Sequence, residues 1–145
     1  MKIRKVEKKE MDYALDLVWR VFLEFEAPDY TEEGINEFKK TIDDKVWVNA
    51  REFYGAFDEN NKMLGVIATK DISHIALFFV EGEYHRQGIG KKLYEKVKEL
   101  NNQGFFTVNS SPYAHEVYKR LGFTDTDEMQ EVHGLKFYPM IISLN

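Results

Sequence analysis

The sequence predicts an α/β fold, a single mixed sheet of six to seven strands packed with helices. Three observations predict it. The apolar runs Phe53–Phe57 and Leu64–Thr69 flank the turn-rich Asp58–Lys62 at hairpin spacing, which gives antiparallel pairing. A succession of strand (Ile75–Val80), helix (Ile89–Leu100) and strand (Phe105–Val108) needs a right-handed crossover, so those two strands lie parallel. Finally, Gln130–Val132 and Leu135–Ile142 flank His133-Gly134 and close the chain as a second hairpin.

Taken in order, Ile3–Val6 alternates imperfectly and is read as a first short strand. Met11, Ala14, Leu15, Val18, Phe22 and Phe25 trace one face of a helix that ends near Pro28. Thr31 can cap a second helix with Ile35, Phe38 and Ile42 on its apolar side, and Gly34 weakens it. Asp44–Arg51 is compatible with a strand or a packed loop. Lys70–Ser73 hands on to Ile75–Val80, a run with a β-branched residue at each end that suits a strand buried on both faces. In the following helix Ile89, Leu93, Val97 and Leu100 share one face, and Asn101–Gly104 ends it. Ser111 and Pro112 suit the N-cap and first position of a last helix, with Gly122 at its C′ position.

Length and composition bound the function. At 145 residues the chain is one domain, residues 1–145, and buries roughly 68–70% of its unfolded surface without needing staples. It has no cysteine, hence no thiolate nucleophile, and only 4 histidines, so no metal is expected. A net charge of −5 argues against a nucleic-acid partner. No apolar run approaches a membrane span and the charged N-terminus lacks an apolar signal core, so a soluble, cytoplasmic protein with no membrane partner is expected.

The chemistry centres on the turn between Ile75–Val80 and Ile89–Leu100. Gly88 and Gly90 remove Cβ atoms where a ligand would approach the backbone, and the helix start offers free N–H groups and a positive dipole end, which suits a diphosphate. A Walker A loop does not fit, because Gln87 stands where its second glycine is needed and Gly90-Lys91 is followed by Lys92. A dinucleotide fingerprint starting at Gly88 and Gly90 has Leu93 where its third glycine belongs. Val80, His85, Gly88 and Gly90 do match V-x-x-x-x-[Q/R]-x-x-G-x-[G/A], with His85 as the one departure. Downstream, Tyr118, Gly122 and Phe123 match Y-x-x-x-G-F. Both motifs, in this order, resemble the GNAT N-acetyltransferase superfamily, and weaker similarity extends over the whole chain.

The resemblance implies a GNAT-like fold with helices on both faces of the sheet and a parallel pair that splays around a cofactor gap. It implies an acetyl-CoA-dependent N-acetyltransferase that acetylates a primary amine of a small molecule or an amino terminus, by direct attack in a ternary complex. The alternative on the same fold is a non-catalytic acyl-CoA-binding or regulatory module. Backbone N–H groups of Phe78 and Val80 would hold the thioester carbonyl and the pantetheine arm. The pyrophosphate would lie on the N–H groups of Arg86, Gln87, Gly88, Ile89, Gly90 and Lys91, with the Arg86 and Lys91 side chains adding charge, while His85 either bonds a phosphate or packs. Asn109 and Ser111 would face the cofactor, Ser111 doubling as a cap. Tyr118 would donate a proton to the departing thiolate, since a phenol near ~10 and a thiol near ~8.5 are close in acidity. For a general base the candidates are His74, Glu81, Glu24 and Glu26. The acids Glu24, Glu26, Asp29, Glu32 and Glu33 mark either a site for a cationic amine or a solvated surface, and Phe25 and Tyr30 would line its apolar part. A homodimer is expected from the resemblance alone.

Overall fold

A computed structural model describes residues 1–145. The chain runs β1 (Lys2–Lys5), α1 (Met11–Val21), α2 (Glu32–Asp43), α3 (Lys45–Asn49), β2 (Glu52–Phe57), β3 (Met63–Lys70) and β4 (His74–Val80). It continues through α4 (Ile89–Leu100), β5 (Phe105–Ser110), α5 (His115–Leu121), β6 (Thr124–Asp125), β7 (Gln130–Val132) and β8 (Leu135–Ser143). The strands form one mixed sheet in the order β1-β2-β3-β4-β5-β8-β6, with β7 paired to β8. The eighth strand, beyond the six to seven expected, is the two-residue β6, too short to carry a pattern. No helix is long and apolar enough to cross a membrane.

Each face of the sheet has its own core. On one side Ala14, Leu17 and Val18 of α1, with Phe22 just beyond its end, pack on Val66, Leu77 and Phe79; on the other Ile89, Leu93 and Val97 of α4 pack on Ile67, Ile75 and Phe106. Leu93 and Phe106 are both 0% exposed, so Leu93→Ala would cost about 2–5 kcal/mol in transfer and cavity terms.

Strand β4 departs from the expected double burial. Ile75, Leu77 and Phe79 are buried, whereas Ala76, Phe78 and Val80 are only half-buried. The parallel pairing with β5 explains this, because it lasts for just His74–Thr107 and Ile75–Val108 before the strands separate. A bulge sits at the same place: Ala68 pairs with Leu77 but Thr69 with Ile75, leaving Ala76 over. Beyond the bulge Leu77 and Phe79 therefore face the α1 core, while Ile75 below it faces the α4 core.

Three local features differ from or sharpen the sequence reading. Asp44–Arg51 is neither strand nor loop: Asp44 Oδ1 accepts the N–H groups of Val46 (2.9 Å) and Trp47 (3.2 Å) and so caps the short helix α3. Helix α1 widens into a π-helical turn over Phe22–Glu26 and then a 3-10 turn over Ala27–Asp29. In α2, Gly34 meets the hairpin turn of β7 and β8; a Cβ there would collide with the carbonyl of Gly134, so the residue that weakens the helix permits its packing. That turn is a two-residue connection with positive φ at His133 (51°) and Gly134 (82°).

Candidate active site

The turn after β4 is shaped by its own backbone. His85 Nε2–H donates to the carbonyl of Val80 at 2.7 Å, folding the turn back on the strand end. Arg86 (φ 66°) and Gly88 (φ 81°) take left-handed conformations, and α4 then opens with its Ile89, Gly90 and Lys91 N–H groups free of helical partners. Gly90 is not forced by its conformation. A Cβ there would come to 3.5 Å from the Phe78 ring and project into the cleft beside it.

That cleft encloses about 570 Å³. One wall is His85, Arg86 and Gly90, the other Tyr113, Val117 and Arg120 of the α5 region, and the floor is Phe78 to Val80. Phe25 ties the walls together, its ring lying 4.7 Å from that of His85 and 5.4 Å from that of Tyr113. Backbone donors also point into the cleft. Glu81 N–H bonds the Leu64 carbonyl at 2.9 Å, and antiparallel alternation then directs the odd-numbered Phe79 and Leu77 toward β3. Phe78 and Val80 are left facing the gap, and the engagement of the Val80 carbonyl by His85 fits that orientation.

A second cavity of about 290 Å³ lies where β4 and β5 part. Ile75 to Phe79 and Val108 to Ser111 form its base, Phe22, Tyr30 and Phe38 one wall, and Leu135 to Phe137 of β8 another. The two cavities share Glu26, Phe78, Phe79, Ala114 and Tyr118, so the only ionisable side chains at their junction are a carboxyl and a phenol.

Sequence and geometry explain both positions. Glu26 lies four residues after Phe22 and eight after Val18, on the buried stripe of the first helix, and the π-helical turn delivers it inward. Burial, reinforced by Asp29 and opposed by the Ser111 hydroxyl, pushes its carboxyl up from 4.5 to about 7. Tyr118 is fixed by the end of α5: Phe123 N–H bonds the Tyr118 carbonyl and Gly122 N–H that of Lys119, both at 3.0 Å, with Gly122 at φ 108°. This is a Schellman motif, and the ring contact of Tyr118 with Phe123 at 5.2 Å is its usual apolar companion. The Y-x-x-x-G-F pattern is thus the sequence of a helix stop that locks the tyrosine in place. Burial first, then the Glu26 charge and Tyr94, hold the Tyr118 phenol well above its ordinary value. The near match to a thiol expected from ordinary acidities is therefore not what the site provides while Glu26 is charged, because burial and that charge disfavour the phenolate.

Other expected residues are dispersed. His74 sits at the closed end of the parallel pair, its Nδ1 2.9 Å from Thr107 Oγ1, and lines neither cavity. Glu81 is held by Arg20 through two contacts of 2.9 and 3.0 Å. Glu24 is exposed and outside both cavities, and Phe25 lines the first cavity, not the second. Tyr30 does line the second, donating its hydroxyl to the Lys136 carbonyl at 3.2 Å; burial, then Glu26 and Asp29, raise its pKa. Gln87 turns its amide back to the Glu83 carbonyl (3.2 Å), the exposed Lys91 side chain lies off the cleft, and Ile89 is buried in the core, leaving these residues to act through their N–H groups. Asn109 and Ser111 line the second cavity, and Ser111 Oγ accepts the Ala114 N–H (3.1 Å) to cap the turn leading into α5. Arg120 was missed; its spacing of three from Val117 and seven from Tyr113 is the signal that places these residues on one face.

No curated protein matches the sequence. Among solved structures, a GCN5-related N-acetyltransferase from Rhodopseudomonas palustris has a TM-score of 0.86 at 19% identity, over 99% of this chain and 95% of that one. The PaiA N-acetyltransferase from Thermoplasma acidophilum, solved in complex with coenzyme A, has a TM-score of 0.78 at 18% identity over 98% of both chains. YjaB from Escherichia coli has a TM-score of 0.77 at 16% identity, over 97% and 95%. At these identities the likeness shows the fold alone. The sequence profile of the acetyltransferase (GNAT) domain matches residues 26–144, from the junction carboxylate to the end of β8, and this chain belongs to the GNAT acetyltransferases.

Proposed function

We propose that the protein is an acetyl-CoA-dependent N-acetyltransferase that acetylates a primary amine of a small molecule or an amino terminus by direct attack in a ternary complex. The observation that carries this is the junction: a cleft bordered by the free N–H groups at the start of α4 and a separate cavity meet at one carboxyl and one phenol. Acetyl-CoA supplies a thioester whose carbon accepts the amine nitrogen, the C–S bond breaking as the amide forms. Free N–H groups at the start of α4, with Arg86 and Arg120, would hold the pyrophosphate. The Val80 and Phe78 N–H groups would hold the pantetheine arm and the developing oxyanion.

Glu26 takes the proton of the attacking amine, a task suited to a carboxyl poised near neutrality. Tyr118 presents its O–H to the departing sulfur. The two are coupled: besides burial, the Glu26 charge is what keeps Tyr118 a poor acid, so proton capture by Glu26 makes the phenol a better donor as thiolate leaves. A cytoplasmic setting, where acetyl-CoA is at hand, belongs to the same reading. The test is amine-dependent release of free coenzyme A thiol with both substrates varied. Intersecting double-reciprocal lines are expected; parallel lines would overturn direct attack, and absence of amine-dependent thiol release would favour a binding module.

A further inference from the structure

The acidic surface around the link between α1 and α2 invites a polycationic acceptor, but little of it reaches the cavity. Glu24, Asp29, Glu32 and Glu33 are exposed and outside it, and only Glu26 and Glu37 line it. Glu37 shares the outer end with Lys136, so the mouth carries one charge of each sign. Inside, the hydroxyl groups are already engaged: Tyr30 donates to the Lys136 carbonyl (3.2 Å) and Ser110 to the Ser111 carbonyl (2.9 Å), while Ser111 Oγ accepts from Ala114. A second ammonium drawn into this space would find only Glu37, whose charge Lys136 of the same lining offsets.

What the cavity offers instead is an apolar wall of aromatic rings. Tyr30, Phe22 and Phe38 form a nearly parallel stack, Phe22 lying 3.9 Å from Phe38 at 4° and 5.7 Å from Tyr30 at 15°. Trp19 backs it, 5.7 Å from Phe22, which makes the wall rigid. Leu135 and Phe137 face the same space from the hairpin. The volume, about 290 Å³, is at the lower bound of ordinary small-ligand pockets, roughly 300 Å³. One carboxylate at the inner end, apolar walls between, and a charge-balanced mouth describe a compact amphiphile with a single cation.

We propose that this cavity selects a primary arylalkyl monoamine, its ammonium at Glu26 and its ring between Phe38 and the hairpin residues Leu135 and Phe137. This rests on the acetyltransferase reading above, and the test separates the two. With saturating acetyl-CoA, kcat/KM is compared for 2-phenylethylamine, spermidine and a short peptide with a free amino terminus, and calorimetry measures 2-phenylethylamine binding to the protein loaded with coenzyme A. Phenylethylamine is expected to exceed both rivals by at least about tenfold. Leu135→Glu should lower its kcat/KM by a similar factor, favour a diamine, and leave the KM for acetyl-CoA within about twofold. Turnover that prefers spermidine or the peptide would overturn the acceptor assignment and keep the acetyltransferase. Glu26-dependent binding of phenylethylamine with no turnover of any amine would support the assignment and overturn the enzyme. Neither binding nor turnover would overturn both.

Discussion

Replacing Glu26 by Gln should make the protein more stable and nearly inactive, with the stability gain confined to neutral and alkaline pH. The carboxyl is raised from 4.5 to about 7, mainly by burial. A group with a raised folded-state pKa binds its proton more tightly in the native protein than in the unfolded chain. Stability therefore falls as pH climbs from the ordinary carboxyl value, and the whole cost is present above about pH 7. That shift is equivalent to about 3 kcal/mol at most. A buried amide returns part of it through imperfect hydrogen bonding, roughly 1–2 kcal/mol. The expected net gain at pH 8.5 is about 1–2 kcal/mol, or a Tm higher by about 3–8 °C. At pH 5 native Glu26 is already protonated, so the gain should vanish. Thermal unfolding followed by circular dichroism at both pH values measures this, and a Tm difference independent of pH would refute the reasoning. In kinetics, wild-type kcat/KM should rise toward a plateau above about pH 7, and Glu26→Gln should lose about 10²–10⁴-fold along with that rise.

Three further expectations follow from the same geometry. Tyr118→Phe should reduce kcat by about 10²-fold or more with the KM for acetyl-CoA within about twofold; steady-state kinetics checks it, and unchanged kcat would end the proton-donor assignment. Gly90→Glu, which extends a carboxylate from beside Phe78 into the donor cleft, should raise the acetyl-CoA KM at least about tenfold in a protein whose circular dichroism is native, and a normal KM would refute the cradle. Gly34→Ala should lower stability by about 1–3 kcal/mol in denaturant titration, because its Cβ must push Gly134 away; a loss below about 0.5 kcal/mol would mean that helix and hairpin are not held in contact there.

The sheet and the turn that frames the candidate donor cleft were legible because their signals are local. Hairpin spacing, helical periodicity and glycine placement lie within a few residues of one another, and each has a direct backbone cause. Tyr118 was legible for the same reason, since its motif is a helix stop written in six consecutive residues. The acceptor half was not. Phe38, Glu37, Leu135 and Phe137 come from elements about a hundred residues apart in sequence and meet where α2 packs on the β7–β8 hairpin at Gly34 and Gly134, which no local pattern encodes. Choosing among Glu24, Glu26, Glu81 and His74 depended on a π-helical turn, an Arg20 partner and the closed end of a parallel pair. One clue was present: an acid on the apolar stripe of the first helix, at helical spacing from Phe22 and Val18.

The bulge in β4 makes the register of this strand as much a constraint on the candidate site as its composition. If Ala76 were instead drawn into regular pairing and the bulge lost, Leu77 and Phe79 would turn away from α1 and the gap would meet a different set of N–H groups. A surface loop of this chain can gain or lose a residue with local effect. A slip of register between Ile75 and Leu77 that takes up the bulge moves a core and the backbone lining the gap together, so residues that hold the bulge should be kept there while loop variation is tolerated.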